Sequence, residues 1–334
     1  LYKYGYAIDN IVQDFPDIRI FKTSLAVEGD DLVKMPKTVG LGIVELSTIF
    51  DNENPDMIMT VADRYETLAT AIAASYVNIP LVHLQGGEIS GTIDDKVRNA
   101  ITQLADYHFP ATADAADRIL QMKQKDHARI WAMGCPSMDL LSSLVPNWKS
   151  IQDEVNRHGD GDKIEIYGDF FIIMLHPDTK GDPVTGEQVN MVFDVLNEFD
   201  EQKIVMWPNI DPGSDKIAKA WRMIKELNWD SNVRYIRHLD SAVFSALMCQ
   251  CCCIIGNSSA GIREATFLGI PSVSIGDRQE GRECGRNVSH VPFDRVILKQ
   301  AITRQRKRYY QRDTMYGDGH AGEKIAKQLG KILV

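Results

Sequence analysis

The chain has 334 residues, 44% of them apolar and 25% charged, with a formal net charge of −9. That length favours two domains, and the apolar share is enough for two cores. The acidic balance argues against nucleic acid as a general partner, and no apolar run approaches the ~20 residues that span a bilayer, so neither a nucleic-acid nor a membrane partner is expected.

In chain order, a helix is predicted over residues 1–17, with Ile8, Ile11 and Val12 as its apolar stripe, followed by a strand at 18–22. Pro36 suits the first position of a helix that runs to Phe50. Strand 57–61 comes next, then Asp63-Arg64 and an alanine-rich helix over 67–77. Strand 79–84 ends at Gly86-Gly87. Helix 94–104, strand 107–110, helix 113–122 and strand 130–133 complete the first half. Residues 141–168 are polar and glycine-bearing, and read as a linker region.

The second half repeats the rhythm. Its predicted strands are 170–175, 204–207, 233–237, 251–255 and 271–275. Its helices are 186–198, 214–227, 240–249, 262–268, 296–309 and 320–332, with Gly269 as the C-cap of the fourth. Alternation of this kind predicts an α/β protein with doubly wound parallel sheets.

Six cysteines include a C-Q-C-C-C run at 249–253. Zinc would need paired spacing, and adjacent strand residues point to opposite faces. The run reads as small buried hydrophobes in a reduced, cytoplasmic protein, for which no secretory leader pattern is seen. No metal and no cofactor is expected.

Polar residues gather where predicted strands end. Asp63 and Arg64 follow the strand ending at Val61. Gln85, Glu88 and Asp94 follow Leu84, and His176 follows Leu175. Asn209 and Asp211 follow Trp207. Ser258, Ser259 and Glu264 follow Ile255, and Arg278 and Arg282 follow Ile275. In a parallel sheet such ends share one edge, and two facing edges line a cleft.

Each residue also has a plainer reading. Asp63 and Arg64 fit a surface pair, Asp94 a helix N-cap, and His176 a turn histidine. The 256–261 turn fits local capping as well as a phosphate cradle. The coincidence at six strand ends favours a site. Its inventory is carboxylates for acid/base work (Asp63, Glu88, Asp94), arginines for a diphosphate (Arg64, Arg278, Arg282), and Glu264 for a ribose. No G-x-G-x-x-G fingerprint and no P-loop is present.

These segments resemble the hydrolysing UDP-N-acetylglucosamine 2-epimerases of the sialic-acid and legionaminic-acid branch. The matching stretches are residues 62–66, 83–95, 134–137, 176–177, 208–214, 255–264, 276–282 and 316–319, in one order over nearly the whole chain. The resemblance implies two Rossmann-like domains with an interdomain cleft, as in the GT-B glycosyltransferases. The expected bounds are 1–145 and 146–308, with 309–334 packing back on the first domain. It implies conversion of UDP-N-acetylglucosamine, or a diacetamido analogue, to the free 2-epimer plus UDP by elimination and hydration.

It further implies acid/base roles for Asp63 and Asp94, and places His176 near sugar and phosphates. Arg64, Asn209, Ser258, Ser259, Glu264 and Arg278 match nucleotide-binding positions, and a homodimer is expected. Two departures stand out. Gln85 occupies a position where the mammalian-type motif has glutamate, so either Glu88 or Asp94 moves the proton or Gln85 marks reduced or altered activity. The chain also starts after the family's first strand, so an incomplete first domain is expected. The alternatives are a non-hydrolysing epimerase and a UDP-sugar-binding homologue without turnover.

Overall fold

A computed structural model of the chain describes residues 8–29, 31–91, 93–123, 129–178, 183–209, 211–227, 231–306 and 308–333. The first half contains α1 (Ile8–Asp14), α2 (Lys34–Glu53), β1 (Ile58–Val61), α3 (Tyr65–Tyr76), β2 (Leu81–Leu84), α4 (Asp94–Leu104), β3 (Tyr107–Phe109) and α5 (Ala113–Met122). The middle holds α6 (Ser137–Ser142), α7 (Trp148–His158) and β4 (Gly159–Gly161). Then come β5 (Phe170–Met174), α8 (Gly186–Leu196), β6 (Gln202–Met206), α9 (Ser214–Glu226), β7 (Val233–Ile236), α10 (Ser241–Gln250) and β8 (Cys253–Gly256). The chain continues through α11 (Arg263–Leu268), β9 (Ser272–Ile275), β10 (Val288–Val291), α12 (Arg295–Gln305) and α13 (Ala321–Ile332).

Strands β1, β2 and β3 form a parallel three-stranded sheet in that order. The second sheet has the order β10-β9-β8-β5-β6-β7-β4, parallel throughout except for the antiparallel edge strand β4. Strand alternation sends residues to opposite faces of β5. Phe171 and Ile173 join a core with Val189, Ile217 and Leu298, from α8, α9 and α12. Phe170 and Ile172 join another with Met138, Val155, Leu247 and Ala265, from α6, α7, α10 and α11. The sheet is therefore covered on both faces, as its continuous apolar strands require.

The three-stranded sheet solves the same problem with a helix from far along the chain. Leu81 packs with Ala71, Ala74 and Ile101 of α3 and α4. Its neighbours Val82 and Leu84 face the other way and pack with Phe109, Ala321 and Ile325. Helix α13 thus closes the open face. Its approach depends on Gly134, at φ +89°, where a Cβ would lie 2.7 Å from the Gly317 Cα.

The structure corrects several expectations. Of the helix over 1–17, residues 1–7 lie outside the described residues, only 8–14 form α1, and Ile11 and Val12 of its expected apolar stripe are exposed. Residues 18–22 are not a strand, and Ile18 and Phe21 are exposed. Residues 130–133 contribute only a bridge from Ile130 to His108. The stretch 141–168 is not a plain linker, since it carries α7 and β4. Within it, Ile151 and Val155 form a buried i, i+4 pair. In the cysteine run only Cys253 lies in a strand, and burial pushes the Cys252 thiol up to about 11.

Candidate active site

The order of the seven-stranded sheet reverses between β5 and β8. The chain leaves β5 towards β6 and β7, then returns at β8 and proceeds to β9 and β10. Ligands in open α/β sheets bind at such a switch point, outside the carboxyl ends of the strands. His176 follows β5 there, and the 256–261 turn follows β8. Gly256 has φ +143°, and a Cβ on it would overlap the Met174 carbonyl. Asn257 ties the two strand ends together. Its Oδ1 accepts from the His176 N–H at 2.7 Å, and its Nδ2 donates to the His176 carbonyl at 2.8 Å.

Burial, with the nearby Arg278 charge, pushes the His176 imidazole down to about 3, so the ring is neutral at pH 7. Its Nδ1 accepts from the Asn209 N–H at 3.2 Å. The ring proton therefore sits on Nε2, which can offer one neutral hydrogen bond. Arg278 donates to the carbonyls of Pro177 (3.2 Å) and Asn257 (2.9 Å), and lies 3.8 Å from Asp211. Burial lowers this guanidinium, against opposing pulls from Asp211 and Asp94. Arg64 reaches Asp211 from the first half at 3.2 Å.

Around Glu88 the charges fall into two groups. On the first-half side Arg98, 1% exposed, pairs with Asp63 and with Asp95 (2.6 Å), and donates to the Glu88 carbonyl. From the second half, Arg263 and Arg282 approach the buried Glu88 carboxylate, at 3.5 Å and 3.6 Å. Gln85 sits in the left-handed region at φ +60°. Its Oε1 accepts from Arg263 at 3.0 Å, and its Nε2 donates to Cys135 Sγ at 3.2 Å. Glu283 completes the bridging between the halves. It accepts from Thr112 Oγ1 at 2.7 Å and from Arg118 at 2.8 Å.

Nine of the predicted residues fall into two clusters. Asp63, Gln85, Glu88 and Arg282 share one charged cluster. Arg64, His176, Asn209, Asp211 and Arg278 share another. Ser258 takes the plainer role in part, accepting from the Ala260 N–H at 3.3 Å as the cap of a short 3-10 turn over Ser259–Gly261. Glu264 keeps a buried Oε2 with no hydrogen-bond partner among the described residues. Asp94 is the first residue of α4 and not its N-cap, which is Ile93. Its neighbour Asp95 anchors the preceding loop, accepting from the Ser90 N–H at 2.8 Å and the Gly91 N–H at 3.0 Å. Thr92 and Ile210 of the quoted motifs lie outside the described residues.

Sequence reasoning assigned no role to Arg98, Arg118, Arg263 or Glu283. Arg98 carried a usable signal, the i, i+3 spacing from Asp95 on a helix. Arg263 opens α11 beside Glu264, just past the turn already singled out. Among the described residues no group of three His, Cys, Asp or Glu side chains is placed to hold a metal ion. Among the described residues no helix is long and apolar enough to cross a membrane.

The sequence pattern of the UDP-N-acetylglucosamine 2-epimerase family matches residues 3–330. The chain is 32% identical over 335 residues to the UDP-N,N'-diacetylbacillosamine 2-epimerase (hydrolyzing) of Legionella pneumophila, covering 98% of this chain and 85% of that one. It is 31% identical over 271 residues to the UDP-N-acetylglucosamine 2-epimerase of Neisseria meningitidis, covering 80% and 68%. A crystal structure of UDP-GlcNAc 2-epimerase from Neisseria meningitidis, bound to UDP-GlcNAc, superposes with a TM-score of 0.78 at 17% identity, covering 97% of this chain and 88% of that one. That likeness shows the GT-B-like arrangement of two Rossmann-like sheets.

Proposed function

Because the chain belongs to the UDP-N-acetylglucosamine 2-epimerase family, we propose that it is a hydrolysing 2-epimerase acting on UDP-N-acetylglucosamine or a diacetamido analogue. In this reading a proton leaves C2 as the C1–O bond breaks, releasing UDP and a glycal. Water then adds its hydroxyl to C1 and a proton reaches C2 on the opposite face, giving the free 2-epimer. The observation that carries the reading is the meeting of two chemistries where the halves touch. Carboxylates stand after β1 and β2, while arginines and an open turn stand after β8 and β9.

The assignments follow from charge and reach. Asp63, Glu88 and Asp94 are the acid/base candidates. Gln85 holds no exchangeable acid proton, and serves to fix Arg263. Arg278 and Arg282 oppose the charge that develops on the departing diphosphate. His176 supplies a neutral donor from Nε2. Ser258, Ser259, Asn209 and Arg64 bind the nucleotide, with Glu264 on its ribose. The hydrolysing outcome is supported by the Legionella relative, which is named for that reaction.

The test is incubation with UDP-N-acetylglucosamine, and separately with UDP-N,N'-diacetylbacillosamine, in D2O. One of them should yield free UDP and a free 2-epimeric sugar carrying one deuterium at C2 by NMR. Recovery of an intact UDP-sugar epimerised at C2 would replace this reading with the non-hydrolysing one.

A further inference from the structure

We propose that Arg263 is a positioning residue that shares its guanidinium between the Glu88 carboxylate and the diphosphate of a bound nucleotide, and so couples occupancy of the turn after β8 to the freedom of Glu88. The inference rests on the reading above, that a nucleoside diphosphate occupies that turn. Arg263 opens α11 one residue after the turn and stands next to Glu264. From there its Nη1 crosses to the first half, meeting Gln85 Oε1 at 3.0 Å and Glu88 Oε1 at 3.5 Å.

The balance of charge and donors is uneven at this point. Two guanidiniums, those of Arg263 and Arg282, face the single Glu88 carboxylate, and all three side chains are buried. Nε and Nη2 of Arg263 and Nε of Arg282 are buried without a hydrogen-bond partner among the described residues. Unpaired cationic donors in a dry site are costly, and an anion with several acceptor oxygens relieves that cost. The aromatic face of Tyr316, 5.2 Å from the Arg263 guanidinium carbon, supports the cation without using any N–H.

A diphosphate at the turn and the Glu88 carboxylate therefore compete for one set of donors. When the nucleotide takes them, Glu88 is released to act on the sugar. When UDP departs, the pair re-forms. Gln85 fits this arrangement, since a neutral amide oxygen keeps Arg263 in place without adding a second negative charge to the competition.

The test is a double-mutant cycle on UDP affinity by calorimetry, with wild type, Glu88→Gln, Arg263→Gln and the double variant. Glu88→Gln should tighten UDP by about 5-fold or more, the scale of an ordinary coupling between sites. In the Arg263→Gln background the same change should give a clearly smaller gain, the part that Arg282 carries. Should Arg263→Gln fail to fold, Arg263→Lys takes its place, retaining charge without the fork and giving a reduced gain. An additive cycle in a chain that binds UDP overturns this inference alone. A chain with no UDP affinity overturns the functional reading, and this inference with it.

Discussion

Arg98 is the residue on which the first-half side of the site turns. One guanidinium joins Asp63 after β1, Asp95 on α4, the Ser90 hydroxyl (3.2 Å) and the Glu88 carbonyl. The Asp95 carboxyl is pushed up by burial, yet bonds from Ser90 and Arg98 hold it below the usual carboxylate range. Arg98→Gln would leave two carboxylates without their counter-charge. The expected cost is about 3–5 kcal/mol, the usual result of breaking one side of a buried pair. A clear drop in the urea midpoint, together with loss of turnover, checks it; an unchanged midpoint would mean that Asp63 and Asp95 find other partners. This pairing was only partly legible in the sequence. Asp63 announced itself at a strand end, but the arginine that holds it comes from a helix 35 positions on, and no local pattern reveals such a contact.

Among the elements, α13 shows how a helix can be legible while its anchorage is not. Its periodicity predicted it to within a residue. Its N-cap His320 makes no side-chain capping bond. The Asp139 carboxylate does that work from α6, accepting the Ala321 N–H at 2.8 Å and the Gly322 N–H at 2.7 Å. Asp139→Ala should cost about 1–2 kcal/mol, as loss of a good cap does. Amide exchange at 321–325 should rise, while the second sheet keeps its protection; equal exchange in both would refute the assignment. Helix α7 was hidden by its polar solvent face, although Asn147 caps it by accepting from the Ser150 N–H at 3.2 Å. Strand β10 was hidden because it is an edge strand with only Val291 buried. Residues 18–22 failed as a strand for the opposite reason. Their composition suits one, but among the described residues no neighbouring strand pairs with them, and a strand needs a partner for its backbone groups.

At the scale of the whole molecule, three histidines set the acid limit. Burial pushes His83 down to about 4, and His108 and His176 to about 3. Each is neutral when folded but takes a proton near pH 6.5 when unfolded. The unfolded state thus binds more protons between these values, so stability is full above about pH 6.5 and falls as the pH drops towards 3–4. At pH 5 the loss is about 2 kcal/mol per histidine. Unfolding midpoints at pH 7.5 and pH 5 should differ accordingly, and His108→Phe should flatten the profile; equal midpoints would show these rings to be solvated. The overall α/β rhythm and the line of polar strand ends were legible because burial imposes a period on each element. The cross-cleft pairs were not, because they join strands and helices of different sheets.

The return of α13 to the first sheet has one more consequence, for the order in which the chain is made. The apolar face of Val82, Leu84 and Phe109 leaves the ribosome some two hundred residues before Ala321 and Ile325, which cover it. The seven-stranded sheet, by contrast, has all its strands and covering helices once α12 has emerged. The half that is synthesised first is therefore the half that is finished last, and a chain stalled after α12 would present a closed second sheet beside a first sheet with an uncovered apolar face.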